Sequence, residues 1–240
     1  LAGVAAWMAS QDPDIFQLLM QRDPHFLLAA DLGLAEPKDR HDLVQALLTG
    51  LEEGRLSRDS PQPQFYFKLN YPGLAEQLRG TIANRSLSAL TRSEAIRMAW
   101  KCQVSSLQEL LVDVALNVDE DRRVREIALL ALTRLGADGT IRARLLPLAI
   151  APDDPEDELK GFALMALWEF PRQIEPAKMF AVLTPPKREN FFGAYRTFIE
   201  ETLVRDLEPS LLPAALAWLY ERRPACHYGG PFEALADSIL

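Results

Sequence analysis

Three stretches of the chain superimpose on one another. With Arg92, Arg125 and Lys160 in register, 33 residues separate the first two and 35 the second two. Ala95, Ala128 and Ala163 then coincide, followed by Ile96, Leu129 and Leu164, by Met98, Ala131 and Ala166, and by Ala99, Leu132 and Leu167. A second set recurs 34 residues apart: Leu111, Val112, Val114, Ala115 and Leu116 precede Leu145, Leu146, Leu148, Ala149 and Ile150. Apolar residues at spacings of three and four mark both sets as helices, and the small alanines let neighbouring helices approach closely. A helical period in the thirties implies stacked helix pairs, because one pair cannot bury its apolar face alone. The expected fold is all-α, an α-α superhelix (solenoid) of stacked helix pairs.

The punctuation agrees. Residues 117–121 and 151–155 are polar turns, with Asp154 expected as an N-cap and Pro155 as the first helical residue. Residues 39–54 carry Leu43, Val44, Leu47, Leu48 and Leu51 on one face, and Gly50 or Gly54 can end that helix. Residues 123–136 show the strongest stripe, with Gly136 as its stop. Beyond Phe170-Pro171 the period loosens, although residues 179–183, 191–203 and 211–220 still read as helices. Before residue 90 it is hard to see, and Pro13, Pro24 and Pro37 each fall near a helix start. Residues 65–69, the one candidate strand, read as an extended connector whose aromatics plug a neighbouring groove. These features predict about 12 helices at this period, with an irregular helical segment over residues 1–85 packing on repeats over residues 86–240.

Of the 240 residues, 48% are hydrophobic and 25% charged, which excludes a disordered chain. No run approaches the roughly 20 apolar residues of a membrane-spanning helix. With 26 basic and 34 acidic residues the net charge is −8, unfavourable for general binding to nucleic acid or an anionic membrane. Two cysteines, Cys102 and Cys226, cannot make the disulfide framework of a small secreted protein, so a cytoplasmic location is expected. The first residues, Leu1 to Met8, lack the basic start of a signal peptide and look like mid-helix. The expectation is a piece of a longer protein.

Chemistry-bearing patterns are sparse. His25, His41 and His227 are scattered and read as surface residues, and Cys226-His227 lacks the further ligands of a zinc site. Cys102 lies on an apolar helix and reads as a small core residue. No Gly-x-Ser-x-Gly elbow occurs. The acidic cluster Asp153, Asp154, Glu156, Asp157 and Glu158 sits at a helix start, where carboxylates favour the positive end of the dipole, and lacks the spacing of a calcium loop. No catalytic, cofactor-binding or metal-binding residue is expected, and no cofactor.

Charge is unevenly spread. Residues 1–78 carry −5, residues 79–144 carry +3 and residues 145–240 carry −6. In a stack of repeats Arg92, Arg125 and Lys160 would form a basic ladder, with Arg122 and Arg123 beside it, as an interaction face for an acidic partner. The competing reading pairs Arg122 and Arg123 with Glu126 at helical spacing. Trp100 and Trp168 share a repeat position and read as packing residues rather than base-stacking platforms.

The run Val124-Arg125-Glu126-Ile127-Ala128-Leu129-Leu130-Ala131-Leu132 with Leu135-Gly136 resembles a HEAT-type repeat helix. Trp7, Asp12-Pro13, Arg22-Asp23-Pro24, Leu27-Leu28, Asp31-Leu32, Arg40, Leu43-Val44 and Leu47-Leu48, then Tyr71-Pro72-Gly73-Leu74-Ala75 and Leu78-Arg79, resemble a region of bacterial NACHT-type (STAND) signalling ATPases. In that family the segment follows the nucleotide-binding module and leads into HEAT-like repeats. The resemblance spans roughly residues 7–150. It implies a non-catalytic scaffold or sensor module whose partner is another protein or the ATPase core of the parent chain. No Gly-x-x-x-x-Gly-Lys-Ser/Thr loop is present, so any ATPase activity would lie outside this segment. A nucleic-acid-binding solenoid using the basic block 79–144 is the alternative, disfavoured by the net charge.

Overall fold

The computed structural model describes residues 2–30, 36–57, 63–135, 139–150, 154–168, 175–188, 192–222 and 230–240. All regular structure among them is helical, in fifteen α-helices joined by short 3-10 and π turns, so the chain is all-α. No helix among the described residues is long and apolar enough to cross a membrane. Contacts divide the chain into two compact units, Leu1–Val114 with Asp119–Gly136, and Ala115–Val118 with Ala137–Leu240.

The first unit opens with α1 (Ala2–Ala9) and α2 (Pro13–Arg22), both packed on a 3-10 segment, Pro24–Ala29. Asp12 caps α2, its Oδ1 accepting from the Asp14 amide at 2.8 Å, and Pro13 takes the first helical position, where no amide is needed. Helix α3 (Pro37–Glu52) likewise starts on a proline. The whole stripe Leu43, Val44, Leu47, Leu48 and Leu51 is buried, and Gly54 follows at φ +70°, a conformation open to glycine.

Helices α4 (Leu74–Ala83), α5 (Ala89–Lys101), α6 (Gln108–Leu116) and α7 (Arg122–Leu132) follow. Helix α5 is the centre of the unit, packing against α3, α4 and α7. Its Ala95, Ile96, Met98 and Ala99 are fully buried, as are Val124, Ala128 and Leu132 of α7. Gly136 lies outside the described residues; α7 stops at Leu132 with Thr133 as C-cap.

Residues 65–69 are not extended. They belong to a 3-10 segment, Pro63–Leu69, packed on α3 and α5. Its three-residue turn sets Tyr66 and Leu69 on one side, both buried, and leaves Phe67 58% exposed. Packing on α5 overrides the strand preference of the aromatics, and Tyr66 alone of them is fully inserted.

The second unit contains α8 (Gly139–Ala143), α9 (Leu146–Ile150), α10 (Glu158–Trp168), α11 (Pro176–Ala181), α12 (Ala194–Thr197), α13 (Leu203–Arg205), α14 (Leu212–Arg222) and α15 (Glu233–Ile239). A π turn, Phe198–Thr202, joins α12 to α13, so residues 194–205 form one helical run. The central element is α10, apolar nearly all round and packed on α8, α9 and α12. Gly161 makes the α10–α12 approach feasible, because a Cβ there would run into the backbone of Ala194 and Tyr195.

Candidate functional site

Polar side chains in this fold reach other elements some 24 to 40 residues away along the chain. In the first unit the Glu52 carboxylate accepts from the Ser88 amide at 2.9 Å and from Thr91 Oγ1 at 2.7 Å, so the end of α3 caps the start of α5. Those hydrogen bonds hold the Glu52 carboxyl below its usual range, the Thr91 hydroxyl contributing most. Arg40 donates to the Asn70 carbonyl (2.8 Å), Arg79 to that of Ser106 (3.1 Å), Arg85 to that of Asp119 (2.6 Å) and Gln103 to that of Arg134 (3.4 Å). These links span 30, 27, 34 and 31 residues. Lys68 Nζ holds the Leu28 and Ala30 carbonyls at the end of the Pro24–Ala29 segment. The groups served lie in turns or at helix ends, where backbone carbonyls and amides lack intrahelical partners.

Arg92 and Glu120 form the deepest of these links. Both guanidinium NH groups donate to the carboxylate at 2.6 Å, and Arg92 Nε donates to the Ile82 carbonyl at 2.9 Å. Each side chain is only 4% exposed. The Arg92 hydrogen bonds hold the Glu120 carboxyl below the ordinary carboxylate range. Nearby, the buried Tyr66 hydroxyl donates to Glu94 (3.0 Å), whose carboxyl is pushed up by burial although Arg97 lies at 3.2 Å.

The second unit repeats the device around the acidic cluster. Asp154 caps α10 as expected in kind but not in register: the helix begins at Glu158, and Asp154 Oδ2 accepts from the Lys160 amide at 2.8 Å. Pro155 sits in the intervening turn, which Asp157 closes at φ +55°. Asp157 accepts from the Lys187 amide (2.9 Å), Glu158 from the Ala194 amide at the start of α12 (2.8 Å), and Glu156 pairs with Arg188 (2.9 Å). Lys187 Nζ returns a hydrogen bond to the Asp154 carbonyl at 2.7 Å. Asp153 lies outside the described residues.

The proposed basic ladder requires correction. Arg92 and Lys160 are 3% and 5% exposed and present no charge outward. Arg92 is consumed by Glu120, whereas Lys160 Nζ donates to Thr184 Oγ1 at 2.7 Å and lies 4.5 Å from the Tyr195 ring centre. The physical reason is that each cation meets an acceptor on a distant connecting segment, Glu120 before α7 and Thr184 after α11, which outweighs its preference for water. Arg125 is half-buried on α7. Arg122 pairs with Glu126 at 2.8 Å, one turn along the same helix, and Arg123 lies close enough to Glu94 to act on its charge. Alignment therefore identified equivalent positions but not their direction. Glu52, Glu120, Thr184 and Tyr195 escaped sequence reading, although an acid or hydroxyl about one period from a helix start is a usable signal.

Burial pushes the Lys160 amine down to about 8, against the attraction of Asp157 and Asp154 and with the repulsion of Lys187. Its ordinary value is near 10.5, so the unfolded chain binds the extra proton between these limits. The cost of burying the ammonium is fully present below pH 8 and is relieved as pH rises toward 10.5. Compared with Lys160→Met, the wild type is expected to gain stability from pH 8 to 10 in urea unfolding. A pH-independent difference would contradict this.

His41 is exposed beside Asp42 (3.0 Å), and His25 is half-buried against the Phe26 ring at 4.1 Å. Cys226 and His227 lie outside the described residues. Cys102 is buried, donates to the Tyr66 carbonyl, and is pushed up to about 12 by burial, which leaves the thiol inert at neutral pH. Trp168 packs edge-on against Phe198 at 5.9 Å, and Trp100 is half-buried under Lys101. A crease lined by Trp168, Met179, Phe180, Leu183, Phe198 and Leu203 is apolar and too tight for a water-sized molecule. Among the described residues no group of three or more His, Cys, Asp or Glu side chains is placed to hold a metal ion. Compared with family models, with curated proteins and with solved structures, the chain matches none.

Proposed function

We propose that this chain is a non-catalytic, protein-binding scaffold of HEAT-like stacked helix pairs, cytoplasmic, and the repeat region of a bacterial NACHT-type signalling ATPase. One observation carries the reading: charged side chains, among them Arg92, Lys160, Glu158 and Lys187, link elements 24 to 36 residues apart along the chain. Elements linked in this way suit a module that displays surface for another protein, or for the ATPase core of its own parent chain. The alignment of Arg92, Arg125 and Lys160 and the residue resemblance over roughly 7–150 support the same assignment. The nucleic-acid alternative is the less favoured reading, since five of the eleven cations of the basic block, Arg79, Arg85, Arg92, Arg97 and Arg122, already engage carbonyls or carboxylates of the chain itself.

The test is a low-salt titration of fluorescent DNA and RNA against the purified chain, with ATP hydrolysis followed in parallel. The scaffold reading expects neither binding nor turnover. Binding whose affinity falls steeply with salt would assign the basic block to nucleic acid, and ATP turnover would place a catalytic site in this segment.

A further inference from the structure

The first two helices carry more apolar surface than the fold covers. Helix α1 has the sequence AGVAAWMA, without one charged or amide side chain. A helix apolar on all sides is stable in water only when covered on all sides. Yet among the described side chains of α1 only Ala6 and Ala9 are buried, and Val4 is 60%, Trp7 67% and Met8 41% exposed, at the i, i+3, i+4 spacing of one helix face. Helix α2 follows with five large apolar residues, none buried, and Leu18 is 48% exposed. Helix α3, of similar character, buries its entire stripe.

We propose, resting on the scaffold reading above, that this α1–α2 surface is the seat of an amphipathic helix from a partner protein, with lysine or arginine flanking its apolar ridge. Trp7 and Met8 supply what such a contact needs, a large anchor and an adaptable neighbour. Charge selects the occupant. Asp12, Asp14 and Asp23 are exposed around the surface, and Arg22 is the single Lys or Arg within residues 1–30. A second copy would set that acidic rim against itself, and an anionic lipid surface would be repelled, whereas basic flanks are complementary. Area points the same way. Four large exposed apolar side chains, Val4, Trp7, Met8 and Leu18, make a footprint that is small beside the roughly 800 Å² per partner of a standard stable interface. A footprint of that size suits one amphipathic helix held by a few anchors.

The experiment uses the whole chain and two labelled helical peptides of about 18 residues with the same leucine ridge, one flanked by lysine and the other by glutamate. The lysine peptide is expected to bind at least about tenfold tighter, and Trp7→Ser/Met8→Ser is expected to weaken it at least about tenfold. Trp7 is 67% and Met8 41% exposed, so thermal melts should stay close to wild type. Leu216→Ser, at an exposed leucine of α14, is the control and should leave binding unchanged. Equal binding of the two peptides, or binding indifferent to Trp7→Ser/Met8→Ser, overturns the proposal. So does capture by phosphatidylcholine–phosphatidylserine vesicles, or dimerisation that this variant abolishes in sedimentation. Failure here leaves the nucleic-acid and ATP results untouched, so the two readings fall separately.

Discussion

Arg92→Met is expected to destabilise the first unit by about 3–5 kcal/mol, the range for removing one partner of a buried ion pair. The loss exceeds that of a hydrogen bond because Glu120 stays behind, its side chain 4% exposed, with two acceptor oxygens that had each held an NH group at 2.6 Å. The Ile82 carbonyl loses its donor as well. Arg92→Met combined with Glu120→Leu is expected to recover most of the loss, since replacing both ions by apolar groups removes the uncompensated charge. The effect carries a pH signature. Because Arg92 lowers the folded-state value of Glu120, the pair contributes fully above the unfolded carboxylate range and fades as pH falls through the folded value. The gap between wild type and Arg92→Met should therefore narrow in acid. Urea unfolding at neutral and acidic pH measures this. A neutral-pH loss under about 1 kcal/mol, the level of an exposed pair, would show that the link is not buried in solution.

Gly161→Ala is expected to cost about 3 kcal/mol or more, at the upper end for overpacking, although alanine is the better helix former. The added methyl meets backbone rather than the end of a flexible side chain, so α12 must move away from α10. That movement pulls on the Glu158–Ala194 and Tyr195–Thr184 hydrogen bonds. Gly80→Ala provides the opposite sign. It lies inside α4 with open space where its Cβ would sit, and should gain roughly 0.5–1 kcal/mol from helix propensity alone. Thermal melts of the two variants should shift in opposite directions. A stabilised Gly161→Ala would mean that α10 and α12 do not approach this closely.

Much of the fold was legible because local rules decided it. The leucine stripe of α3, the proline starts at Pro13, Pro24 and Pro37, and the alanine register of α5, α7 and α10 all follow from helical periodicity and capping. Non-local partners escaped. The direction of Arg92 is decided by Glu120, 28 residues on, and that of Lys160 by Thr184, 24 residues on. Nothing in the helix bearing either cation reveals its partner, and the solvent preference of an isolated cation points the wrong way. Residues 65–69 misled for the same reason, since aromatic strand propensity is weak against the pocket that α5 offers Tyr66. The acidic cluster was legible in kind, as capping, but its register was not, because the turn from Asp154 to Asp157 is shaped by the lysine that reaches back from position 187.

The long-range polar links described above join residues 24 to 40 positions apart. A chain wired at so uniform a distance faces nearly the same loop-closure entropy at every step. At ribosomal rates of about 5–20 residues per second, a stretch of this length trails its partner by roughly 1–8 s. Each newly emerged segment therefore meets its hydrogen-bonding partner already in place, and such a protein can assemble in the order in which it is translated, without waiting for its far end.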